Sequence, residues 1–231
     1  MLLLVASILV LFLLNLFLGS VHIPMDSIWN ILWGLDGDES VIWQNIIWKS
    51  RIPQSLTALV AGAGLAVSGL QMQTVFRNPL AGPSVLGISS GASLGVAFVV
   101  LLSGSIGGIA LSRLGFMGEI ALTVAAIVGA LSVMALIVYV SQKVHGNVTL
   151  LIIGVMIGYV ANAVIGVLKF FSVEEDIRAY VIWGLGSFAR VSGNQVTVFI
   201  CIMAVLLPLS FLLIKTLNLL LLGDAYARNL G

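Results

Sequence analysis

Catalysis at neutral pH needs a nucleophile beside a base, or a set of metal ligands, held in one place. The residue types that could supply either are scarce in this chain, which has two histidines, His22 and His145, and one cysteine, Cys201. Each histidine lies near the end of an expected helix, with no H-E-x-x-H or G-x-S-x-G run around it. Cys201 sits in the apolar run Ile200-Cys201-Ile202-Met203 and has no second thiol for a disulfide or a metal site, so it reads as a small apolar residue. No G-x-x-x-x-G-K-[ST] loop is present to cradle phosphates. No catalytic residue, metal or cofactor is therefore expected.

The ionisable residues say more by where they are missing. Of 231 residues, 60% are hydrophobic and only 8% charged, and the mean hydropathy is +1.19. That leaves too little polar surface to cover a water-soluble globule of this length. Lipid must be the solvent for much of the chain. A formal charge of +1 provides no basic field for nucleic acid.

A charge near the bilayer centre costs several kcal/mol, and about 20 apolar residues cross the hydrocarbon, so charge-free gaps mark the spans. Spans are expected at residues 2–18, 54–76, 86–102, 120–140, 148–168 and 194–214. Six spans put both termini on one side. The first gap lacks the basic start and small-residue cleavage site of a signal peptide and reads as a retained helix. From Gly19 to Lys49 the chain mixes Asp26, Asp36, Asp38 and Glu39 with Trp29, Trp33, Trp43 and Trp48, which suits an interfacial loop carrying one short amphipathic helix.

Lipid tolerates no unpaired backbone, and these gaps are long and do not alternate, which favours helices over a barrel. The expected fold is an all-α, polytopic transmembrane helix bundle of about six spans in a single domain, 1–231. Small residues recur at four-residue intervals as packing faces: Ala58, Gly62 and Ala66; Gly87, Gly91 and Gly95; Gly154, Gly158, Asn162 and Gly166. Orientation is ambiguous from charge. With a cytoplasmic N-terminus, Arg77, Lys143, Lys215 and Arg228 lie inside, whereas Lys49, Arg51, Arg113, Lys169, Arg178 and Arg190 lie outside. The positive-inside rule favours the reverse.

Four segments carry a resemblance. Arg51-Ile52-Pro53-Gln54-Ser55-Leu56 leads into the second span. Arg77-Asn78-Pro79-Leu80-Ala81-Gly82-Pro83, continued by Leu86-Gly87-Ile88-Ser89-Ser90-Gly91-Ala92, joins the second span to the third. Trp183-Gly184-Leu185-Gly186-Ser187-Phe188 precedes the sixth, and Leu222-Gly223-Asp224-Ala225-Tyr226-Ala227-Arg228-Asn229-Leu230-Gly231 follows it. Together they resemble the FecCD/BtuC-like permease family of ABC importers for iron-siderophores, haem and vitamin B12. The match covers essentially the whole chain. The physics of the second segment agrees independently, because Pro79 and Pro83 remove backbone donors and must stop the second span near Asn78.

The resemblance implies a type II ABC importer permease in the bacterial cytoplasmic (inner) membrane, acting as a homodimer. Its partners would be an ATPase subunit and a periplasmic or extracellular substrate-binding protein. It further implies that Arg51 docks the binding protein, and that Gly154, Gly158, Asn162 and Gly166 line the translocation pathway. Leu222, Gly223, Asp224, Ala225, Ala227, Arg228, Leu230 and Gly231 would begin the ATPase-coupling element. Family members usually have more spans than these six, so the chain is expected to be a truncated form, not competent for transport alone. Gln54 stands where the family often has a second arginine. An ion-coupled secondary transporter is the main rival reading, but it would place ionisable residues in mid-membrane. The six gaps hold none. An intramembrane enzyme is the third reading, disfavoured by the poverty of catalytic groups described above.

Overall fold

The computed structural model describes residues 1–35, 41–106, 116–144, 146–188, 191 and 193–223. Among these the regular structure is helical, with no strand: α1 (Leu2–Phe17), α2 (Met25–Trp33), α3 (Val41–Ile46), a π-helical turn (Ile47–Arg51), α4 (Ile52–Phe76), α5 (Ile88–Ile106), α6 (Phe116–Ser141), α7 (Asn147–Phe170), α8 (Glu174–Leu185), α9 (Gly193–Phe211) and α10 (Ile214–Leu221). The protein is an all-α polytopic membrane bundle. Among the described residues four stretches are long and apolar enough to cross a bilayer: Val41–Phe76, Met117–Ser141, Val148–Phe170 and Gly193–Phe211.

Six such helices were expected. The other two, Leu2–Phe17 and Ile88–Leu102, are apolar but shorter. At 1.5 Å per residue α1 reaches roughly 24 Å against a hydrocarbon thickness of about 30 Å. The third expected span, 86–102, falls on α5, which starts at Ile88 after turns through Gly87 and runs to Ile106.

The chain forms two compact units, Met1–Val67 with Ser187–Leu213, and Ser68–Gly186 with Ile214–Gly231. In the first unit the interfacial segment folds on itself. Ile23, Ile28, Ile31 and Ile47 make a buried cluster, with Phe17, Trp43 and Ile52 packed against it. The short amphipathic helix expected in this region is α2, which buries Ser27, Ile28 and Ile31. Trp29 and Trp33 stay exposed, with ring centroids 6.2 Å apart. Gly34, at φ 63°, ends the helix in the left-handed conformation, and the Leu35 N–H returns to the Asn30 carbonyl.

The second expected span, 54–76, falls on α4, and helix continues on its N-terminal side. Lys49 and Arg51 lie inside this helix, because Val41–Phe76 is one continuous helical stretch of 36 residues. Pro53 explains the π-helical turn that interrupts it. A proline has no N–H and its ring collides with the carbonyl four residues back. One wider turn at Ile47–Arg51, in which the Ile52 N–H bonds the Ile47 carbonyl, absorbs that conflict without ending the helix. At the other end of this unit, the sixth span closes at Phe211, three residues beyond Pro208, instead of running to 214.

In the second unit α5 is the central helix and packs against α6, α7 and α8. Its seam with α6 is built from small residues. A β-carbon on Gly91 would lie 2.7 Å from the Gly129 carbonyl oxygen, and one on Gly95 would collide with the Ala125 carbonyl. Backbones this close gain dispersion contacts that longer side chains would forbid. Apolar clusters flank the seam: Val96, Ala97, Val100, Leu101, Ile165 and Tyr180 in one, and Leu86, Val133 and Ile137 in the other.

Candidate functional site

Arg51 is the one buried charged residue preceding α4 among the described residues, at 5% exposure. Its guanidinium donates to the carbonyl oxygens of Leu16, Phe17 and Val21, which lie at and beyond the C-terminal end of α1. Those carbonyls have no intrahelical partner, and a cation there also meets the negative end of the helix dipole. One turn further on, the Ser55 hydroxyl lies 2.7 Å from Asn15 Oδ1 and ties α4 to α1 again. The resemblance gave Arg51 an outward task, holding a carboxylate of a binding protein. In the fold the guanidinium points into the protein, and docking through it would require these bonds to break.

The small stripe Ala58, Gly62 and Ala66 was expected to be a packing face. All three are exposed and, with Ile8, Leu11, Phe12, Asn15 and Ser55, border an apolar groove of about 690 Å³ between α1 and α4. No atom lies within 4 Å of a β-carbon built on Gly62.

The motif from Arg77 to Gly91 forms a rigid turn between α4 and α5. Arg77 takes φ 48°, the only non-glycine in the left-handed region among the described residues. That geometry costs an L-residue roughly 1–2 kcal/mol. It lets the Asn78 N–H return to the Gln73 carbonyl and close the C-terminus of α4. Asn78 Oδ1 then accepts the Leu80 N–H at 2.9 Å, and the Ala81 N–H bonds the Asn78 carbonyl. Pro79 and Leu80 face outward, whereas Ala81 and Leu86 are buried. Pro83 is half-buried and Ser89 exposed. The letters Gly87-Ile88-Ser89-Ser90-Gly91 match a G-x-S-x-G elbow, but that motif needs a preceding strand. None exists among the described residues, and the glycines serve packing.

Gly87, at φ 73°, is where this turn meets α7: a β-carbon there would sit 2.7 Å from the Gly154 carbonyl oxygen. Reciprocally, one on Gly154 would sit 2.8 Å from Leu86 Cα, and one on Gly158 would sit 3.3 Å from Ser90 Oγ. The four residues expected on the pathway therefore divide. Gly154 and Gly158 are buried against the turn, on the same face as Ala161 and Ile165. Asn162 and Gly166 are exposed on an adjacent face with Val155 and Tyr159, and nothing lies within 4 Å of a β-carbon on Gly166.

Beyond α7 the Ser172 hydroxyl bonds the carbonyls of Leu101 and Leu168, joining the ends of α5 and α7. In α8, Tyr180 packs into the α5 core, with Lys169 Nζ 4.8 Å from its ring centroid. Burial raises the Tyr180 phenol above its ordinary pKa, and a hydrogen bond with Ser93 partly offsets that rise. Asp176 is 7% exposed, and its Oδ2 has no hydrogen-bond partner among the described residues. No sequence pattern singled it out. Trp183, from the motif before the sixth span, packs on the same core, and Gly186 at φ 67° ends α8.

At the far end of this unit, α10 is a separate helix, entered through the apolar pair Leu212-Leu213. Gly223, at φ 113°, therefore ends α10 and not the sixth span. Leu222 is exposed. Asp224, Ala225, Ala227, Arg228, Leu230 and Gly231, expected to begin the coupling element, lie outside the described residues. The Leu220 carbonyl accepts both the Gly223 N–H at 3.2 Å and, across 143 positions of sequence, Arg77 Nη2 at 2.7 Å.

Comparison with known proteins agrees with this arrangement. Residues 7–231 match the model of the FecCD transport family. The haemin transport system permease protein HmuU of Yersinia pestis is 35% identical over 227 residues, covering 96% of this chain and 65% of the relative. The vitamin B12 import system permease protein BtuC of Klebsiella pneumoniae is 36% identical over 188 residues, covering 81% of this chain and 54% of the relative. A solved transporter in an inward-facing conformation, assigned to the metal-chelate type of ABC transporter, superposes with a TM-score of 0.77 at 27% identity. It covers 97% of this chain, which spans 65% of that structure. The chain thus spans between about half and two thirds of the length of these relatives. It belongs to the FecCD transport family and is a multi-pass protein of the bacterial inner membrane.

Proposed function

We propose that this chain is the transmembrane permease subunit of an ABC importer that moves an iron chelate, either a siderophore complex or haem, or cobalamin across the inner membrane. The observation that carries the reading is the family match over residues 7–231. Its relatives include permeases of haemin and vitamin B12 import systems. The chain has no phosphate-binding loop, so ATP is hydrolysed by a separate ATPase subunit. A substrate-binding protein delivers the ligand from outside, and two permease copies form the pathway. Docking on the outer face at Arg51 is what the resemblance implies. Leu222 to Gly231 begins the element that meets the ATPase.

In this reading α1 and α5 also cross the bilayer, which makes six spans, the short length of α1 accommodated by local thinning of the lipid. The pathway face of α7 carries Asn162 and Gly166, while Gly154 and Gly158 fix the helix against the α4–α5 turn. An exposed amide in mid-span is costly in lipid and inexpensive beside water. The rival, an ion-coupled carrier, needs an ionisable group in mid-span. The apolar stretches of α4, α6, α7 and α9 carry no Asp, Glu, Lys, Arg or His between their ends.

The test is reconstitution of the permease with its ATPase and binding protein in proteoliposomes, followed by uptake of haemin, cyanocobalamin and a ferric hydroxamate. Uptake of one of them that needs ATP is expected. Uptake driven by a proton or sodium gradient without ATP would replace the importer with the carrier.

A further inference from the structure

We infer that Arg77 is the positioning residue that links the end of α10 to the α4–α5 turn, and through that turn to α7. The inference rests on the importer reading above and names the part that would carry motion from the ATPase side to the pathway helix. Three observations support it. First, Arg77 Nη2 donates to the Leu220 carbonyl at 2.7 Å, on the last turn of α10 and just ahead of the segment that begins at Leu222. The bond is charge-assisted and sits at the negative end of a helix dipole, so it resists being pulled apart better than a neutral contact would.

Second, Arg77 holds a backbone conformation, φ 48°, that glycine or asparagine would adopt at less cost. An arginine where glycine would suit the turn better indicates that the side chain is needed there. Third, the turn is not a loose linker. Asn78 closes α4, Leu86 is buried, and Gly87 is lodged against the backbone of Gly154 and Gly158 with no room for a β-carbon. A displacement of α10 is therefore passed through Arg77 to a packed turn, and from it to α7, by contacts that leave little slack. Asn162 and Gly166 lie on that helix.

The experiment compares Arg77→Gln, Arg77→Gly and Arg77→Lys in the permease assembled with its ATPase and binding protein in proteoliposomes. Uptake of haemin, cyanocobalamin or a ferric hydroxamate is measured alongside ATP hydrolysis, and the readout is substrate imported per ATP hydrolysed. Arg77→Gln and Arg77→Gly should lower that ratio by about tenfold, the scale of one lost charge-assisted hydrogen bond. Arg77→Lys should keep it within about threefold, because an ammonium also bonds a carbonyl. Arg77→Gly relieves the backbone strain, so it should assemble even if Arg77→Gln does not. A purely structural arginine would lower uptake and hydrolysis together and leave the ratio unchanged, which overturns the inference. If the wild-type assembly imports none of the three probes, the importer reading itself fails and the inference goes with it.

Discussion

The Arg51 guanidinium reaches back 35 residues to bond the main-chain carbonyl of Leu16, with Phe17 and Val21 as further acceptors. A cation that would otherwise be awkward at the edge of an apolar helix thus satisfies the orphan carbonyls at the end of α1. Arg51→Gln removes the charge and leaves at least one buried acceptor unpaired. It should destabilise the permease by about 2–4 kcal/mol, with Arg51→Lys intermediate. Thermal unfolding in detergent measures this, and capture of the binding protein is measured in parallel. Capture should fall only in proportion to folded protein. A salt-sensitive loss of capture with an unchanged unfolding midpoint would instead give Arg51 the docking role.

Glycines of similar spacing should respond differently to a single methyl group. Gly154→Ala drives a β-carbon to 2.8 Å from Leu86 Cα and 3.1 Å from the Val85 carbonyl oxygen, both backbone atoms that cannot swing aside. A cost of about 1–3 kcal/mol is expected from overpacking. Gly166→Ala meets nothing within 4 Å. It should be neutral or stabilise by up to about 1 kcal/mol through helix propensity. Equal effects of the two substitutions on the unfolding midpoint would contradict the packing described for α7.

Much of the fold was legible because charge cannot easily stay in lipid. The gap between Glu119 and Lys143 located α6, and that between His145 and Lys169 located α7, each within a few residues of its ends. The rule placed the start of α4 beside Arg51 but not the burial of Arg51 itself, whose guanidinium is bonded by carbonyls far away in sequence, a pairing that no local spacing encodes. The same burial weakens Arg51 as a topological signal, since the positive-inside rule counts cations left in loops. The break at Leu212-Leu213 was illegible for the opposite reason, because both residues are apolar and carry no turn signal. Small-residue stripes were easy to see but not to interpret. Gly91 and Gly95 are packed, as are Gly154 and Gly158, whereas Ala58, Gly62 and Ala66 border an open groove.

Asp176 offers a test of a group that sequence did not flag. A carboxylate oxygen buried without a partner loses its hydration, and the position of Asp176 in the first turn of α8, at the positive end of the helix dipole, returns only part of that cost. Asp176→Asn keeps the shape and removes the charge. It should raise the unfolding midpoint, by an amount equivalent to about 1–3 kcal/mol. Asp176→Ala should gain less, because it also removes buried side-chain volume. A fall in the midpoint with Asp176→Asn would mean that the charge has a partner in the assembled transporter.

Asn162 gives the most direct test of the proposed pathway face. It is exposed on α7 beside Tyr159 and Gly166, one turn from the buried Gly158. If lipid covered this face, a cysteine at 162 would meet neither water nor a charged reagent, and its thiolate would be suppressed by the apolar surroundings. If water reaches it through a pathway, the thiol ionises and reacts. Asn162→Cys in the assembled transporter, with Cys201 replaced by serine, should therefore react with a membrane-impermeant maleimide. Gly158→Cys, on the packed face, should fail to assemble or stay unreactive. In the proposed importer the rate at 162 should also change when the ATPase is trapped with nucleotide, since a pathway driven by that ATPase opens and closes with its nucleotide state. Protection at 162 in every nucleotide state would remove Asn162 and Gly166 from the pathway and leave α7 as a packing helix alone.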